Sequence, residues 1–307
     1  MNLSRLCLLV LLSGQLLTAA AQKSDLFFEH FTTEDGLSQN DVNCIIQDSL
    51  GFMWFGTNDG LNRYDGYQVT EFKPSETDSN TISSNLISCL ETDSRNRLWV
   101  GTTGFGISCY DPLSEKFTNY AHDPNVPSSL GNNQVLALHA DRNNRLWVGT
   151  ARGLNLFELT TAENGFQGSG LRNITKKLIP PSLQGIQINQ IYQFDEERFW
   201  ICTETGVFML KNQPNGRDYL SLETIAPNLN ASDIAAFDEH QMLVGAGTGL
   251  YLLDLKKRDP LSGRVSPEIL DPMAHNRLIV HQGEVWTAST FGLSRFARSF
   301  GERSPRL

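Results

Sequence analysis

Five aspartates, Asp48, Asp93, Asp141, Asp195 and Asp238, are the residues whose type and recurrence could most readily do chemistry. Recurring carboxylates can ligate calcium, or work in pairs as general acid and base. Neither chemistry fits. A calcium loop needs several acidic oxygen ligands close together, and DRNNR, from Asp141, supplies only one. Acid–base catalysis needs two carboxylates converging on one substrate. These five stand 45, 48, 54 and 43 residues apart, each opening its own turn. Their expected role is structural, with the carboxylate accepting backbone N–H groups two residues on.

The histidines and cysteines offer no site either. His30, His122, His139, His240, His275 and His281 share no register, and none has a zinc-like partner four residues on. Cys44, Cys89, Cys109 and Cys202 form no C-x-x-C pair. Cys44 and Cys89 each lie four residues before a turn aspartate, in successive units whose equivalent positions should fan apart beyond disulfide reach. Buried free thiols are expected, and no metal or cofactor is implied.

What positions the aspartates is a repeat. Aligned on tryptophan, DSLGFMWFGTNDGLNRYD from Asp48, DSRNRLWVGTTGFGISCYD from Asp93 and DRNNRLWVGTARGLNLFE from Asp141 are copies of one unit. Weaker copies start at Asp195, Asp238 and His281. Trp54, Trp99, Trp147, Trp200, Leu243 and Trp286 take the same place, at steps of 45, 48, 53, 43 and 43 residues. A glycine follows six residues later at Gly60, Gly153, Gly206, Gly249 and Gly292, and seven later at Gly106.

Each unit reads as four strands. An apolar segment such as VNCIIQ (42–47), ISCLET (87–92) or VLALHA (135–140) precedes the aspartate turn; the tryptophan strand follows. The glycine turn then leads to a third strand, LNRYD in the first copy, and an outer strand such as QVTEF (68–72) or KFTNY (116–120) completes it. Such a sheet is apolar on both faces and must stack on its neighbours, which predicts an all-β β-propeller with six four-stranded antiparallel blades over 22–307. FEHF (28–31) matches the outer-strand pattern, so a strand over 26–33 is expected to complete the last blade.

Residues 1–21 read as a secretory leader: Arg5, an apolar run from Leu6, and Ala19–Ala21 before the cut. Its removal takes away Arg5 and no acid, changing the formal charge from −9 to −10. An acidic chain of this kind does not suit nucleic acid or an anionic membrane surface, and a soluble exported location, the periplasm, is expected.

The stretch FTTEDGLSQNDVNCIIQDSLGFMWFGTNDGLNRYDGY (31–67) resembles the two-component regulator propeller repeats, and the resemblance extends through all six copies. It implies the periplasmic sensor region of a hybrid histidine kinase of the kind common in gut and soil Bacteroidetes, where two seven-bladed propellers precede a β-sandwich, a membrane helix and the kinase. Ligands of that family are oligosaccharides. The six copies leave two readings, a closed six-bladed ring or a truncated seven-bladed one. A second propeller or a homodimer partner is an open candidate for association.

The ligand face should combine the loops entering the inner strands with those joining second and third strands. That places Asn40, Asn85 and Asn133 beside Asn58, Asp59, Phe105, Arg152, Glu204 and Phe291. Polar groups beside aromatic faces suit sugars, whose C–H faces stack while their hydroxyls bond. The alternative for Phe105 and Phe291 is packing on a neighbouring blade, and for the three asparagines bracing of loop backbone. Two other functions stay open: an enzyme of the streptogramin-lyase or sialidase type, and a protein-interaction scaffold.

Overall fold

The turn aspartate explains how each unit folds. In blade 1, Asp48 Oδ1 accepts the N–H groups of Leu50 (2.9 Å) and Phe52 (3.1 Å), while Oδ2 accepts the indole N–H of Trp54 at 2.8 Å. One buried carboxylate therefore closes the turn and fixes the largest side chain of the next strand. Asp93 and Asp141 repeat the arrangement with Trp99 (3.0 Å) and Trp147 (2.8 Å), and each also binds the arginine four residues on.

The computed structural model describes residues 30–159, 171–211, 220–281, 284–289 and 292–296. Residues 1–31 and 32–307 form separate units. The second unit is a six-bladed β-propeller. Blade 1 runs Val42–Gln47, Met53–Thr57, Gly60–Tyr64 and Val69–Phe72, from inner to outer strand. Blade 2 is Ile87–Thr92, Leu98–Thr102, Ile107–Asp111 and Lys116–Tyr120, and blade 3 is Val135–Ala140, Arg145–Thr150, Gly153–Leu159 and Leu171–Asn173. Blade 4 is Ile188–Gln193, Arg198–Thr203, Gly206–Lys211 and Ser221–Pro227. Blade 5 comprises Ala231–Ala236, Gln241–Ala246, Gly249–Asp254 and Glu268–Asp271, and blade 6 has three described strands, Arg277–His281, Glu284–Ser289 and Gly292–Phe296. Of the strand expected over 26–33, residues 26–29 lie outside the described residues. His30–Thr32 are in neither helix nor strand, and Thr33 opens a 3₁₀ turn.

Four devices recur at the blade-to-blade junctions. The tryptophan packs on the following blade: Trp54 lies 5.3 Å from Tyr110 and Trp147 4.4 Å from Phe199, ring centre to ring centre. Trp54, Trp99, Trp147 and Trp200 are at most 1% exposed, and Leu243 fills the same place against Leu278 and Val285.

The second device is the glycine two residues after the tryptophan. A Cβ on Gly56, Gly101 or Gly149 would meet the next inner strand at 2.5 Å from Ile87, 2.9 Å from Val135 or 2.8 Å from Ile188. Close approach of the next strand, not backbone freedom, requires glycine here. Blade 4 carries Cys202 instead, and the residue opening the next inner strand shrinks to Ala231, in the same core cluster.

The third device is a bulge near the start of five inner strands. The bulged side chain turns sideways, and four of the five donate to the next blade: Asn43 to Ile87 O (2.8 Å), Ser88 to Val135 O (2.8 Å), Asn189 to Ala231 O (2.7 Å) and Ser232 to His275 O (2.9 Å). Asn189→Ala removes this donor between blades 4 and 5 and should cost about 1 kcal/mol by urea unfolding.

The fourth is backbone pairing on the loop face. Gly60 N donates to Asn85 O, Gly106 N to Asn133 O, Gly185 N to Arg152 O, Asn228 N to Thr205 O and His275 N to Ala246 O. The glycine turns are thereby stitched to the entry of the next blade. Gly106 shows why its turn needs that residue: φ is +80°, and a Cβ would stand 2.2 Å from Tyr120 O.

Candidate functional site

Side chains near the start of the inner strands line an axial cavity, and one register position does so in every blade. That position pairs across the sheet with the junction glycine. Cys44 pairs with Gly56, Cys89 with Gly101, Ala137 with Gly149, Gln190 with Cys202, Asp233 with Gly245 and Arg277 with Ala288. All six line one cavity of about 460 Å³. Blades 1–3 contribute thiol and methyl groups; blades 4–6 contribute an amide, a carboxylate and a guanidinium. At this register the channel is apolar on one side and polar on the other.

The polar half is partly built in. Asp233 Oδ1 accepts Gln190 Nε2 at 3.0 Å and its own neighbour Ile234 N at 2.8 Å, and Oδ2 accepts Leu278 N at 2.9 Å. One carboxylate thus bridges blades 4, 5 and 6. Burial pushes its pKa up from the usual value, against these donors and the Arg277 charge. Arg277 is exposed to the channel and makes no hydrogen bond or ion pair among the described residues, so its guanidinium is available to a ligand oxygen.

The thiols are poor nucleophiles. Burial raises Cys44 far above the thiol range, helped by Cys89, and pushes Cys89 and Cys109 up to about 12. Cys202 is raised by burial too, and these four cysteines are free.

Glu91 and His139 also line the cavity. His139 Nδ1 lies 3.4 Å from Glu91 Oε1, and Nε2 3.0 Å from Gln193 Oε1, so the imidazole faces an acceptor on each side. Burial opposes its charge, but Glu91 and Gln193 outweigh it, and the pKa is raised above 6.5. A raised native pKa contributes stability that is complete below pH 6.5 and fades as pH climbs through the native value. Unfolding free energy should therefore fall as pH rises from about 6.5 through the native value, and Glu91→Gln should flatten that slope. An unchanged slope in Glu91→Gln would refute the assignment.

On the loop face, most of the expected residues are engaged by neighbours. Asn40 Oδ1 accepts Thr33 N at 2.8 Å and Asn133 Oδ1 accepts His122 N at 2.6 Å, while Asn85 Nδ2 donates to Asp59 Oδ1 at 3.2 Å. Asp59 also binds Lys73 at 2.9 Å, and Lys73 and Asn85 hold its carboxyl below the usual range. Asn58 accepts from Asn43 (2.8 Å), and Glu204 from Gln187 N (3.2 Å). Phe105 is 55% exposed at its turn, Arg152 is exposed, and Phe291 lies outside the described residues. None of the described ones is among the residues lining the axial cavity, which draws on the inner strands.

Residues 36–59, 81–104 and 129–152 each match the two-component regulator propeller, and each range contains a turn aspartate and its tryptophan. The chain carries two-component regulator propeller repeats. A 74-residue stretch, 24% of this chain, is 42% identical to Histidine kinase P4 of Formosa agariphila and spans 5% of that protein. The extracellular domain of a hybrid two-component system from B. thetaiotaomicron is similar in fold, with a TM-score of 0.70 at 23% identity. That match covers 88% of this chain and 35% of the other. A virginiamycin B lyase from Staphylococcus aureus matches with a TM-score of 0.56 at 12% identity, over 84% of each chain. The chain thus spans a small part of the kinase and about a third of the two-component extracellular domain. No helix among the described residues is long and apolar enough to cross a membrane.

Proposed function

We propose that this regulator propeller is the exported ligand-binding part of a two-component sensor, and that its ligand is an oligosaccharide bound at the mouth of the channel. Residues 1–21 act as the export leader and the periplasm is the working compartment. The observation that carries the reading is the axial row, with Cys44, Cys89 and Ala137 on one side and Gln190, Asp233 and the available Arg277 on the other. A sugar offers the same division, C–H faces and hydroxyl edges, and a uronic acid adds a carboxylate for the guanidinium. Exposed Phe105 supplies a stacking surface at the rim.

Calorimetric titration of the purified chain with neutral and uronate-containing oligosaccharides tests this. Binding should appear for at least one member, and Arg277→Ala should weaken it by about tenfold, one charge-assisted hydrogen bond. A folded protein silent to the whole panel would overturn the reading. Following the same sugars for turnover separates binding from catalysis.

A further inference from the structure

A second row of inner-strand side chains lies two residues beyond the first and pairs with the tryptophan position instead of the glycine. It comprises Ile46, Glu91, His139, Tyr192, Ala235 and Ile279. Of these, Glu91, His139 and Ile279 line the axial cavity. The cavity wall thus holds four groups that carry charge: Glu91, His139, Asp233 and Arg277.

Hydrogen bonding fixes the form of His139 that the site is built for. Gln193 Nε2 donates to Asp195 O at 2.9 Å, so the Gln193 oxygen is the atom that faces His139 Nε2, at 3.0 Å. On the other side, Glu91 Oε1 stands 3.4 Å from His139 Nδ1 and accepts Ala140 N at 3.0 Å. Both ring nitrogens meet acceptors, and only the imidazolium has a proton for each. A neutral ring leaves one lone pair against an oxygen.

The other neighbours supply no competing charge. Asp141, at the end of the same strand, acts on His139 in the same sense as Glu91 but is bound by Arg145 at 2.6 Å. From blade 4 the ring meets Gln193 and, 6.3 Å away between centres, Phe199; the Asp195 carboxylate is taken by Arg198. Cys89, on the Glu91 strand, stays a neutral thiol. Across the cavity, Asp233 accepts three N–H groups on its two oxygens and lies in the field of Arg277. With His139 protonated, two cations balance two carboxylates. Without that proton the wall carries one net negative charge.

We infer that His139 sets the charge preference of the axial cavity: protonated, it lets anionic ligands reach Arg277, and neutral, it leaves Glu91 to repel them. This goes beyond the sugar reading, because it applies to any charged ligand. For the ligands proposed above, a uronate is held more tightly as pH falls, whereas a neutral oligosaccharide is indifferent. By linkage, a bound anion in turn holds the proton on His139.

The test reads the potential of the cavity and needs no sugar. Leu136→Cys puts a thiol on the cavity wall in the strand of His139, and Ile45→Cys, at a 57% exposed position on the same wall, is a second reporter. Tyr67→Cys, at a 96% exposed position outside the cavity, is the control. Each variant is reacted with an anionic and a cationic methanethiosulfonate, and the ratio of the two rates cancels the ionisation of the thiol itself. Native thiols, buried or half-buried, are told apart by mass spectrometry of the labelled peptides. At both cavity positions the anionic-to-cationic ratio should fall about fivefold as pH rises from about 6.5 through the native His139 value, one charge acting over about 10 Å. At position 67 it should stay level.

Glu91→Gln should raise the ratio throughout and move the step to lower pH. Asp233 titrates in the same sense as His139, so His139→Gln decides: it should remove the step and hold the ratio at its low, alkaline level. NMR of the His139 ring protons gives the ring's own titration, and the two midpoints should coincide. A level ratio at both cavity positions, a step that survives His139→Gln, or a midpoint away from that of the ring would overturn the inference. Silence of the sugar panel would count against the proposed ligand and leave this inference standing, since the reagents probe the wall alone.

Discussion

Asp141→Ala is expected to lower the unfolding free energy by about 3–5 kcal/mol, the range found when one partner of a buried charged network is removed. Asp141 is 5% exposed and receives Asn143 N, Arg145 N, Arg145 Nε at 2.6 Å and the Trp147 indole at 2.8 Å. Alanine would strand the Arg145 charge and an indole N–H in a sealed site. Blade 4 supplies the control. There Asp195 lies five residues before Trp200, one fewer than in blades 1–3, and its carboxylate binds Arg198 at 2.6 Å but not the indole. Trp200 Nε1 is buried without a partner among the described residues, and the Asp195 side chain is 39% exposed. Asp195→Ala should cost under about 1 kcal/mol, as exposed pairs do. Equal losses in the two variants, measured by urea unfolding, would refute the role given to the indole bond.

The second large effect is steric. Gly149→Ala would put a methyl group 2.8 Å from Ile188 Cγ2 and 3.1 Å from the Ala137 Cβ, so the neighbouring blade must retreat. Overpacking of this kind costs about 1–3 kcal/mol. Blade 4 shows the compensation, since Cys202 is accommodated beside the smaller Ala231. Gly149→Ala should therefore be less damaging in an Ile188→Ala background than alone. A double-mutant cycle with no favourable coupling would show that the glycine serves something other than the approach of blade 4. Ala288, which is exposed, should tolerate valine within about 0.5 kcal/mol by the same measurement.

Much of this fold was legible in the chain. VNCIIQ, ISCLET and VLALHA are the inner strands of blades 1–3 to the residue, because the aspartate turn marks where each must stop. The tryptophan row was legible because one large side chain recurs in one place. The channel row was not. Cys44, Cys89, Ala137, Gln190, Asp233 and Arg277 share a position but no chemistry, so linear comparison sees noise until the strand register is known. The bulged residues were hidden for a related reason. Asn, Ser and Asn at 43, 88 and 189 look like ordinary exposed polar residues, and only the bulge aims them at the next strand. Among the loop residues, type alone suggested Asn85 and Asp59, but their bonds are to each other and to Lys73.

The pairing of each axial residue with a glycine or small residue on the adjacent strand separates two kinds of change. Assembly is enforced on the second strand, where any added atom collides with a neighbour. The first strand carries the cavity row, whose side chains range from thiol to guanidinium within one molecule. Such a scaffold can be retuned one blade at a time, like a lock whose pins are cut separately, while the barrel that holds them stays the same.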